Sequence, residues 1–162
     1  MSSDYQPRFN IVLHQPEIPG NTGAIGRTCV ALQAKLWLVQ PLGFRVDEKT
    51  LRRAGLDYWQ YLEWELVPNW QGILDRAGEQ NLWAFTKTAA KEFSQVKYSA
   101  NDWLVFGSET SGLPSSIVEQ QDVASLRIPM GSHVRSLNLS CAVAVAGYEC
   151  HRQLDSDSPI SD

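Results

Sequence analysis

Short apolar runs alternate along this chain with stretches of helical periodicity, and this alternation constrains the fold more than any other feature. Apolar runs predict strands over residues 9–13, 35–40, 64–68, 82–86, 103–106 and 126–129. Helices are predicted over residues 22–33, 47–54, 70–77 and 138–153, with a short one opening at Pro114. Such alternation is typical of an α/β fold with a mostly parallel sheet. Ligands of these sheets bind in loops at the carboxyl ends of the strands.

The length of 162 residues suits one compact domain. We expect a single domain over residues 1–154 and a loose acidic tail over residues 155–162, which carry three aspartates and no base. The first residues lack the basic-then-apolar pattern of a signal peptide, and no apolar run approaches the ~20 residues that cross a bilayer. The expected location is therefore the cytoplasm, without membrane association.

The cysteines and histidines do not predict a metal or disulfide site. Three cysteines form no CxxC pair, and three histidines are scattered without ligand spacing. Cys29 and Cys141 lie in apolar helical stretches, where a free thiol behaves as a small hydrophobe. We expect both to pack in the core, and we expect no metal.

Net charge argues mildly against nucleic-acid binding, because phosphate contacts need local positive charge. The formal net charge is −4, but the chain without its tail has 14 bases against 15 acids. Between Arg27 and Arg53 six bases face two acids, Asp47 and Glu48. This excess indicates a local basic surface, although ordinary solvated charges would give the same count.

Unusual residues gather in three loop segments, each next to a predicted strand. The first, residues 16–27, holds Asn21, a predicted helix N-cap, and Arg27 in an otherwise apolar helix. The second, residues 106–114, is rich in small residues and places the Glu109 carboxylate in the cleft. The third, residues 128–140, packs Arg135, Ser136 and Asn138 into four positions. A surface arginine, a plain turn and a simple helix cap remain alternative interpretations of these segments.

Together and in this order, the segments resemble the three motifs of the SPOUT methyltransferases. Asn21-x-Gly23-x-x-x-Arg27 resembles the first motif and Phe106-Gly107-x-Glu109-x-x-Gly112-Leu113 the second. The stretch from Ile128-Pro129-Met130 to Ser136-Leu137-Asn138-Leu139-Ser140 resembles the third. A further stretch, residues 51–58, is similar to the small tRNA (cytidine/uridine) 2′-O-methyltransferases that modify the wobble position.

The resemblance implies a SPOUT-type α/β fold with a C-terminal trefoil knot, a homodimer and S-adenosyl-L-methionine as the cofactor. It also implies which residues contact that cofactor, many of them through main-chain atoms. The implied cofactor-binding residues are Phe85, Thr86, Gly107, Glu109, Ile128, Met130, Ser136, Leu137 and Asn138.

The implied reaction is methyl transfer to the ribose 2′-hydroxyl of the wobble nucleotide in the anticodon stem-loop of tRNA. Arg27, Ser136 and Asn138 are the implied catalytic residues. A guanidinium stays protonated in nearly all proteins, so we expect Arg27 to orient the hydroxyl and stabilise developing negative charge rather than act as a base. Ser136 and Asn138 would order the loop and the substrate. Tyr148 is a weaker catalytic candidate, and core packing would explain it equally well.

RNA would be held by the surface of the dimer, since no separate RNA-binding domain is apparent. The candidates for phosphate contacts are Arg45, Lys49, Arg52, Arg53 and Arg135.

Three other functions are alternatives to this reaction. A serine hydrolase using Ser108, His133 and Glu109 lacks the GxSxG elbow, and a nicotinamide-dependent dehydrogenase lacks GxGxxG after the first strand. A catalytically inactive knotted RNA-binding or assembly factor is the strongest alternative, and the presence of Arg27, Glu109, Ser136 and Asn138 argues against it. The preferred tRNA, the preference between cytidine and modified uridine, and the need for prior base modification do not follow from the sequence.

Overall fold

A parallel β-sheet organises the protein. The computed structural model describes residues 6–47 and 58–156. Within them, six strands pair in the order β3-β2-β1-β5-β4-β6, and every pairing is parallel. The strands are β1 (Phe9–His14), β2 (Ala34–Val39), β3 (Trp64–Val67), β4 (Leu82–Phe85), β5 (Trp103–Phe106) and β6 (Val123–Leu126). The predicted mostly parallel α/β sheet is confirmed.

The strand order places a crevice between β1 and β5. The chain runs outward from β1 to β2 and β3, and the later strands lie on the other side of β1. The register pairs Leu13 with Phe106 at the carboxyl ends of the two strands. Loops that follow β1 and β5 therefore leave the sheet side by side. In open α/β sheets this reversal of strand order is where ligands bind.

Helices cover both faces of the sheet, and they are α1 (Pro19–Leu32), α2 (Trp70–Ala77), α3 (Ser115–Val118) and α4 (Leu139–Ser156). Helices α1 and α4 contribute Ile25, Cys29, Val143 and Ala146 to a core cluster on one face, and each of these side chains is fully buried. On the other face, Ile73 of α2 packs with valines of the central strands. Coverage on both faces explains why the central strands consist of continuous apolar residues.

Several predicted boundaries need correction. The last strand covers Val123–Leu126 instead of residues 126–129, because β4 pairs from Leu82↔Val123 to Phe85↔Leu126 and the final ladder bond runs from the Thr86 N–H to the Leu126 carbonyl at 2.9 Å. The prediction that Asn21 caps α1 was wrong. Helix α1 begins two residues earlier, at Pro19, and Ile18 occupies the cap position.

The C-terminal end of the described chain is helical. Helix α4 continues through Ser156, so Asp155 and Ser156 belong to it rather than to a tail that begins at residue 155. Asp155 accepts a hydrogen bond from Arg8 at 2.6 Å. The rest of the predicted tail and most of the predicted helix over 47–54 lie outside the described residues. The trefoil knot does not follow from the strand order and stays a prediction.

None of the helices in the described part of the chain is long and apolar enough to cross a membrane. Among residues 6–47 and 58–156, no three His, Cys, Asp or Glu side chains form a group that could hold a metal ion.

Candidate functional site

A cavity of about 500 Å³ opens at the carboxyl edge of the sheet, where the loops after β1, β4, β5 and β6 meet. The structure brings to this cavity all nine residues that the resemblance assigned to the cofactor. They are Phe85, Thr86, Gly107, Glu109, Ile128, Met130, Ser136, Leu137 and Asn138. Ile18, Asn21, Leu113 and Leu139 also line it and were not predicted to do so.

Glu109 fixes the loop after β5 to the start of α1. Its carboxylate accepts hydrogen bonds from the backbone N–H of Glu17 at 2.8 Å and of Ile18 at 3.1 Å. These donors precede Pro19, the first residue of α1, so the negative charge lies at the positive end of the helix dipole. The carboxylate that the sequence placed in the cleft thus also anchors a neighbouring loop.

Glu17 makes the reciprocal connection. Its carboxylate accepts a hydrogen bond from the Thr110 hydroxyl at 2.6 Å and a longer one from the Thr110 N–H at 3.4 Å. The bond from the Thr110 hydroxyl is the main cause that lowers the pKa of Glu17 below its ordinary value of 4.5. Glu17 and Glu109 therefore clamp the two loops together from both sides.

Asn21 extends this clamp to the loop before α4. Its side-chain amide donates to Glu109 Oε1 at 3.3 Å, and its Oδ1 accepts a hydrogen bond from Asn138 Nδ2 at 3.2 Å. Asn138 Oδ1 in turn accepts from the N–H of Ser140 at 2.9 Å, so Asn138 also makes the helix-cap contact that was the alternative interpretation of this segment. One hydrogen-bonded chain, Glu109–Asn21–Asn138, therefore joins all three motif segments.

The loop after β5 is closed on itself at Gly107. The Gly112 N–H donates to the Ser108 carbonyl at 3.0 Å, and Gly112 has a positive φ of 66°. A Cβ on Gly107 would lie 2.0 Å from the Gly112 carbonyl carbon. No side chain fits there without opening the loop, and the cavity wall depends on this close backbone approach.

Both apolar and polar groups line the cavity. The rings of Phe85 and Phe106 stack with centroids 4.6 Å apart and an angle of 12° between their planes. Leu113, Ile128 and Leu139 add aliphatic surface. A flat heteroaromatic ring fits such a lining, while Thr86, Ser136 and main-chain groups of the small-residue loops supply hydrogen-bonding partners.

Arg27 lies two turns into α1 on an exposed face, and it is not among the residues that line the cavity. Its guanidinium carbon lies 4.9 Å from the ring centroid of Tyr58, a cation–π distance. The Tyr58 hydroxyl donates to the Gly23 carbonyl at 2.7 Å, which fixes the ring against α1. No role was predicted for Tyr58 beyond its place in the stretch over residues 51–58.

The remaining predictions concern phosphate contacts and core packing. Arg45 and Arg135 are exposed, as phosphate contacts require, whereas Lys49, Arg52 and Arg53 lie outside the described residues. The prediction that the cysteines pack in the core was wrong for Cys141, which is exposed, and is confirmed for Cys29, which is fully buried. Core packing is likewise wrong for Tyr148, whose side chain is 52% exposed.

The chain is similar to known RNA methyltransferases in both sequence and fold. A tRNA (cytidine(34)-2'-O)-methyltransferase of Saccharophagus degradans is 46% identical over 147 residues, which cover 90% of this chain and 96% of that protein. A solved structure described as "structural insights into the 2-OH methylation of C/U34 on tRNA" superposes with a TM-score of 0.87 at 38% identity, covering 93% of this chain and 99% of that one. An AdoMet-bound rRNA methyltransferase from Sinorhizobium meliloti gives a TM-score of 0.81 at 26% identity, covering 91% and 57%.

The family signature extends over most of the described structure. The sequence model of the SpoU rRNA Methylase family matches residues 8–148, which include every strand, the cavity and the first half of α4. The α/β fold expected from the resemblance is that of the solved relatives. This chain belongs to the SpoU rRNA Methylase family.

Proposed function

We propose that this protein transfers a methyl group from S-adenosyl-L-methionine to the ribose 2′-hydroxyl of the wobble nucleotide, cytidine or modified uridine, in the anticodon stem-loop of tRNA. The observation that carries the proposal is that all nine residues predicted to contact the cofactor line one cavity. The hydrogen bonds that join Glu109, Asn21 and Asn138 hold the loops around this cavity together. The high similarity to a tRNA (cytidine(34)-2'-O)-methyltransferase over nearly its whole length supports the choice of substrate.

The cavity suits the methyl donor. Its apolar lining residues, among them Phe85, Phe106 and Ile128, would hold the adenine ring, and its polar lining groups would hold the ribose and the amino-acid portion. When bound, this cofactor supplies an electrophilic methyl group. Gly107 and its neighbours would contribute main-chain contacts, because a glycine without a side chain lets a ligand approach the backbone.

The chain's own residues would then position the acceptor. Arg27 would orient the 2′-hydroxyl and the adjacent phosphate through its planar fork of donors, and its charge would stabilise the oxygen as it loses its proton. Tyr58 holds the guanidinium from one side. Ser136 and Asn138 would order the loop at the cavity rim against the ribose.

We also propose that the active form is a homodimer. Three exposed residues of α4, Cys141, Val145 and Tyr148, follow the spacing of one helix face. Ile18 and Leu137, at the cavity rim, are exposed apolar side chains as well. A second copy that covers this surface would lie beside the cavity, and it would offer a second Arg27 and a wider basic surface.

RNA binding would rest on exposed arginines of that assembly. Arg45 and Arg135 are the described candidates, and Lys49, Arg52 and Arg53 are the candidates outside the described residues. Replacing them by alanine would weaken tRNA binding and flatten its dependence on salt, because fewer counterions are released. The cytoplasm, where tRNA is modified, is the location that this activity implies.

Nucleoside mass spectrometry tests the proposal. Total tRNA from cells that lack the protein should lose 2′-O-methylation at the wobble position of a subset of tRNAs, and the purified protein should restore it in the presence of S-adenosyl-L-methionine. A catalytically inactive RNA-binding factor would restore nothing. Unchanged ribose methylation in the deletion strain would contradict the proposal.

A further inference from the structure

A second cavity, of about 390 Å³, lies behind the loop that follows β5. It shares Ser108, Ser111 and Gly112 with the larger cavity proposed to hold the methyl donor, the donor cavity, so this loop forms a wall between the two. The remaining lining comes from the ends of β1 and β2 and from the start of α3. It includes His14, Gln15, Glu17, Pro41, Leu42 and Pro114.

His14 gives this cavity a polar group without a partner. It is the last residue of β1, and its side chain is only 8% exposed. Its ring packs edge-on against Trp70 with centroids 6.4 Å apart, and within the described part of the chain its imidazole makes no hydrogen bond. Burial lowers the pKa of His14 below 6.5, so the neutral ring offers one donor and one acceptor at pH 7.

The charge of the residues that line this second cavity disfavours an anionic ligand. The cavity carries the Glu17 carboxylate, and none of the described lining residues is a lysine or an arginine. Pro41, Leu42 and Pro114 supply flat apolar surface, while His14 and Gln15 supply hydrogen-bonding groups. A volume of about 390 Å³ lies within the range of small-ligand pockets. These properties suit an uncharged heteroaromatic ring with polar edges and disfavour a phosphate.

We propose that this cavity binds an unpaired nucleobase of the same RNA, a neighbour of the nucleotide that is methylated, and that His14 hydrogen-bonds to that base. The inference rests on the proposed function. Proteins that recognise RNA loops splay out unstacked bases, pack them on side chains and read their edges by hydrogen bonds. Because the two cavities share a wall, a base held in the second one would lie near the donor's methyl group, so its recognition would select the substrate.

Abasic substitution tests the proposal. An anticodon stem-loop RNA is methylated by the purified protein, and each loop nucleotide except the target is replaced in turn by an abasic ribose that keeps the phosphate. For the wild-type protein, one neighbouring position should lower kcat/KM about tenfold, the usual effect of losing one bound base. If no position matters, the proposal is overturned.

The variant His14→Phe identifies the cavity involved. Phenylalanine keeps a ring against Trp70 but removes both nitrogens. On intact RNA, the kcat/KM of this variant should be about tenfold lower than that of the wild type. Replacing the sensitive nucleotide by an abasic ribose should lower the variant's kcat/KM little further. Its affinity for S-adenosyl-L-methionine should equal that of the wild type. His133→Phe, the same change at an exposed histidine outside both cavities, should keep the full abasic effect. An equal abasic effect in His14→Phe and wild type would overturn the assignment.

Photo-crosslinking gives a second measurement that does not depend on a variant. RNA carrying 4-thiouridine at the sensitive position should crosslink to the segment over residues 41–43 or 14–17 of the wild-type protein. Crosslinks confined to other segments would overturn the inference while leaving the methylation of intact RNA in place. Failure of the protein to methylate intact RNA would overturn the proposed function, and the inference with it.

Discussion

Asn21 donates a hydrogen bond from its side-chain amide to Oε1 of Glu109 at 3.3 Å, and this bond connects the first turn of α1 to the loop after β5, 88 residues away in the chain. The same Asn21 accepts a hydrogen bond from Asn138, 117 residues away. The donor cavity therefore depends on a polar chain that no single segment could build. Its residues set the positions of the three loops before any ligand arrives.

Glu109→Gln should weaken the hydrogen bonds of the Glu109–Asn21–Asn138 series while a side chain of the same size still lines the donor cavity. A glutamine amide keeps one acceptor oxygen but cannot accept from the N–H groups of Glu17 and Ile18 and from Asn21 as the carboxylate does. We expect about tenfold weaker binding of S-adenosyl-L-methionine by calorimetry and a loss of about 1 kcal/mol in the free energy of unfolding. Glu119→Gln, at the exposed end of α3, should change neither, and equal donor affinity in both variants would contradict this role.

Gly107→Ala should disrupt the wall of the donor cavity. The added Cβ would lie 2.0 Å from the Gly112 carbonyl carbon, so the loop after β5 must open. We expect a cost of about 1–3 kcal/mol in the free energy of unfolding and a loss of donor binding. Gly131→Ala is the matched control, because a Cβ there meets nothing within 4 Å. Denaturant unfolding and calorimetry should separate the two variants, and similar behaviour would refute the close-approach explanation.

Arg27→Lys should separate donor binding from catalysis. Lysine keeps the charge but loses the planar fork that would orient the hydroxyl and the phosphate. We expect turnover to fall at least about 100-fold while donor affinity stays within about twofold. Single-turnover methyl transfer and calorimetry measure the two quantities.

Tyr58→Phe is a useful companion to this variant. It keeps the ring beneath Arg27 and removes only the hydrogen bond to the Gly23 carbonyl, so most activity should remain. Near-normal turnover of Arg27→Lys would end the catalytic assignment of Arg27.

Val145→Glu should abolish dimer formation. Val145 is 42% exposed in the single chain, so a glutamate there is tolerated by the protomer but would be buried without a partner in the proposed interface. Sedimentation velocity should show a dimer for the wild type and a monomer for the variant, with loss of methyl transfer. Ser116→Glu, on the exposed side of α3, should remain dimeric. A monomeric, active wild-type protein would contradict the homodimer.

The stability of the protein should fall in mildly acidic solution because of His14. Burial lowers the pKa of His14 in the folded state below its ordinary value of 6.5, so the unfolded chain binds the proton more readily. The contribution of the neutral ring is thus full above pH 6.5 and declines as the pH falls from 6.5 toward the lowered folded pKa. Denaturant unfolding between pH 8 and pH 5 should show this decline in the wild type and a smaller one in His14→Phe. Identical pH profiles would contradict the burial of a neutral imidazole.

The sequence predicted most of the fold because its strands and helices carry strong local patterns. Strand β5 was predicted residue for residue, and the apolar stripe of α4 with Val143, Ala146 and Cys150 lies in the core as expected. Pairing between distant strands was harder to foresee. The predicted last strand was misplaced because the register between β4 and β6, not local composition, decides where pairing stops.

The site was predictable as a set of residues but not as a network. Motif resemblance identified the nine cavity residues, whereas the bonds that join Asn21 to Glu109 and Asn138 require the loops to be positioned in space. Local preference suggested a cap for Asn21, and a long-range contact determines its position instead. Cys141 was misjudged for a related reason, since α4 is apolar on two faces and only one can cover its own sheet.

A comparison of two RNAs tests the proposed reaction most directly. One is an anticodon stem-loop with cytidine at the wobble position, and the other differs only in having 2′-deoxycytidine there. With labelled S-adenosyl-L-methionine and the wild-type protein, the first RNA should gain one methyl group, recovered as 2′-O-methylcytidine, and the second should gain none. Equal labelling of both RNAs, or no labelling of the first, would contradict ribose methylation at this position.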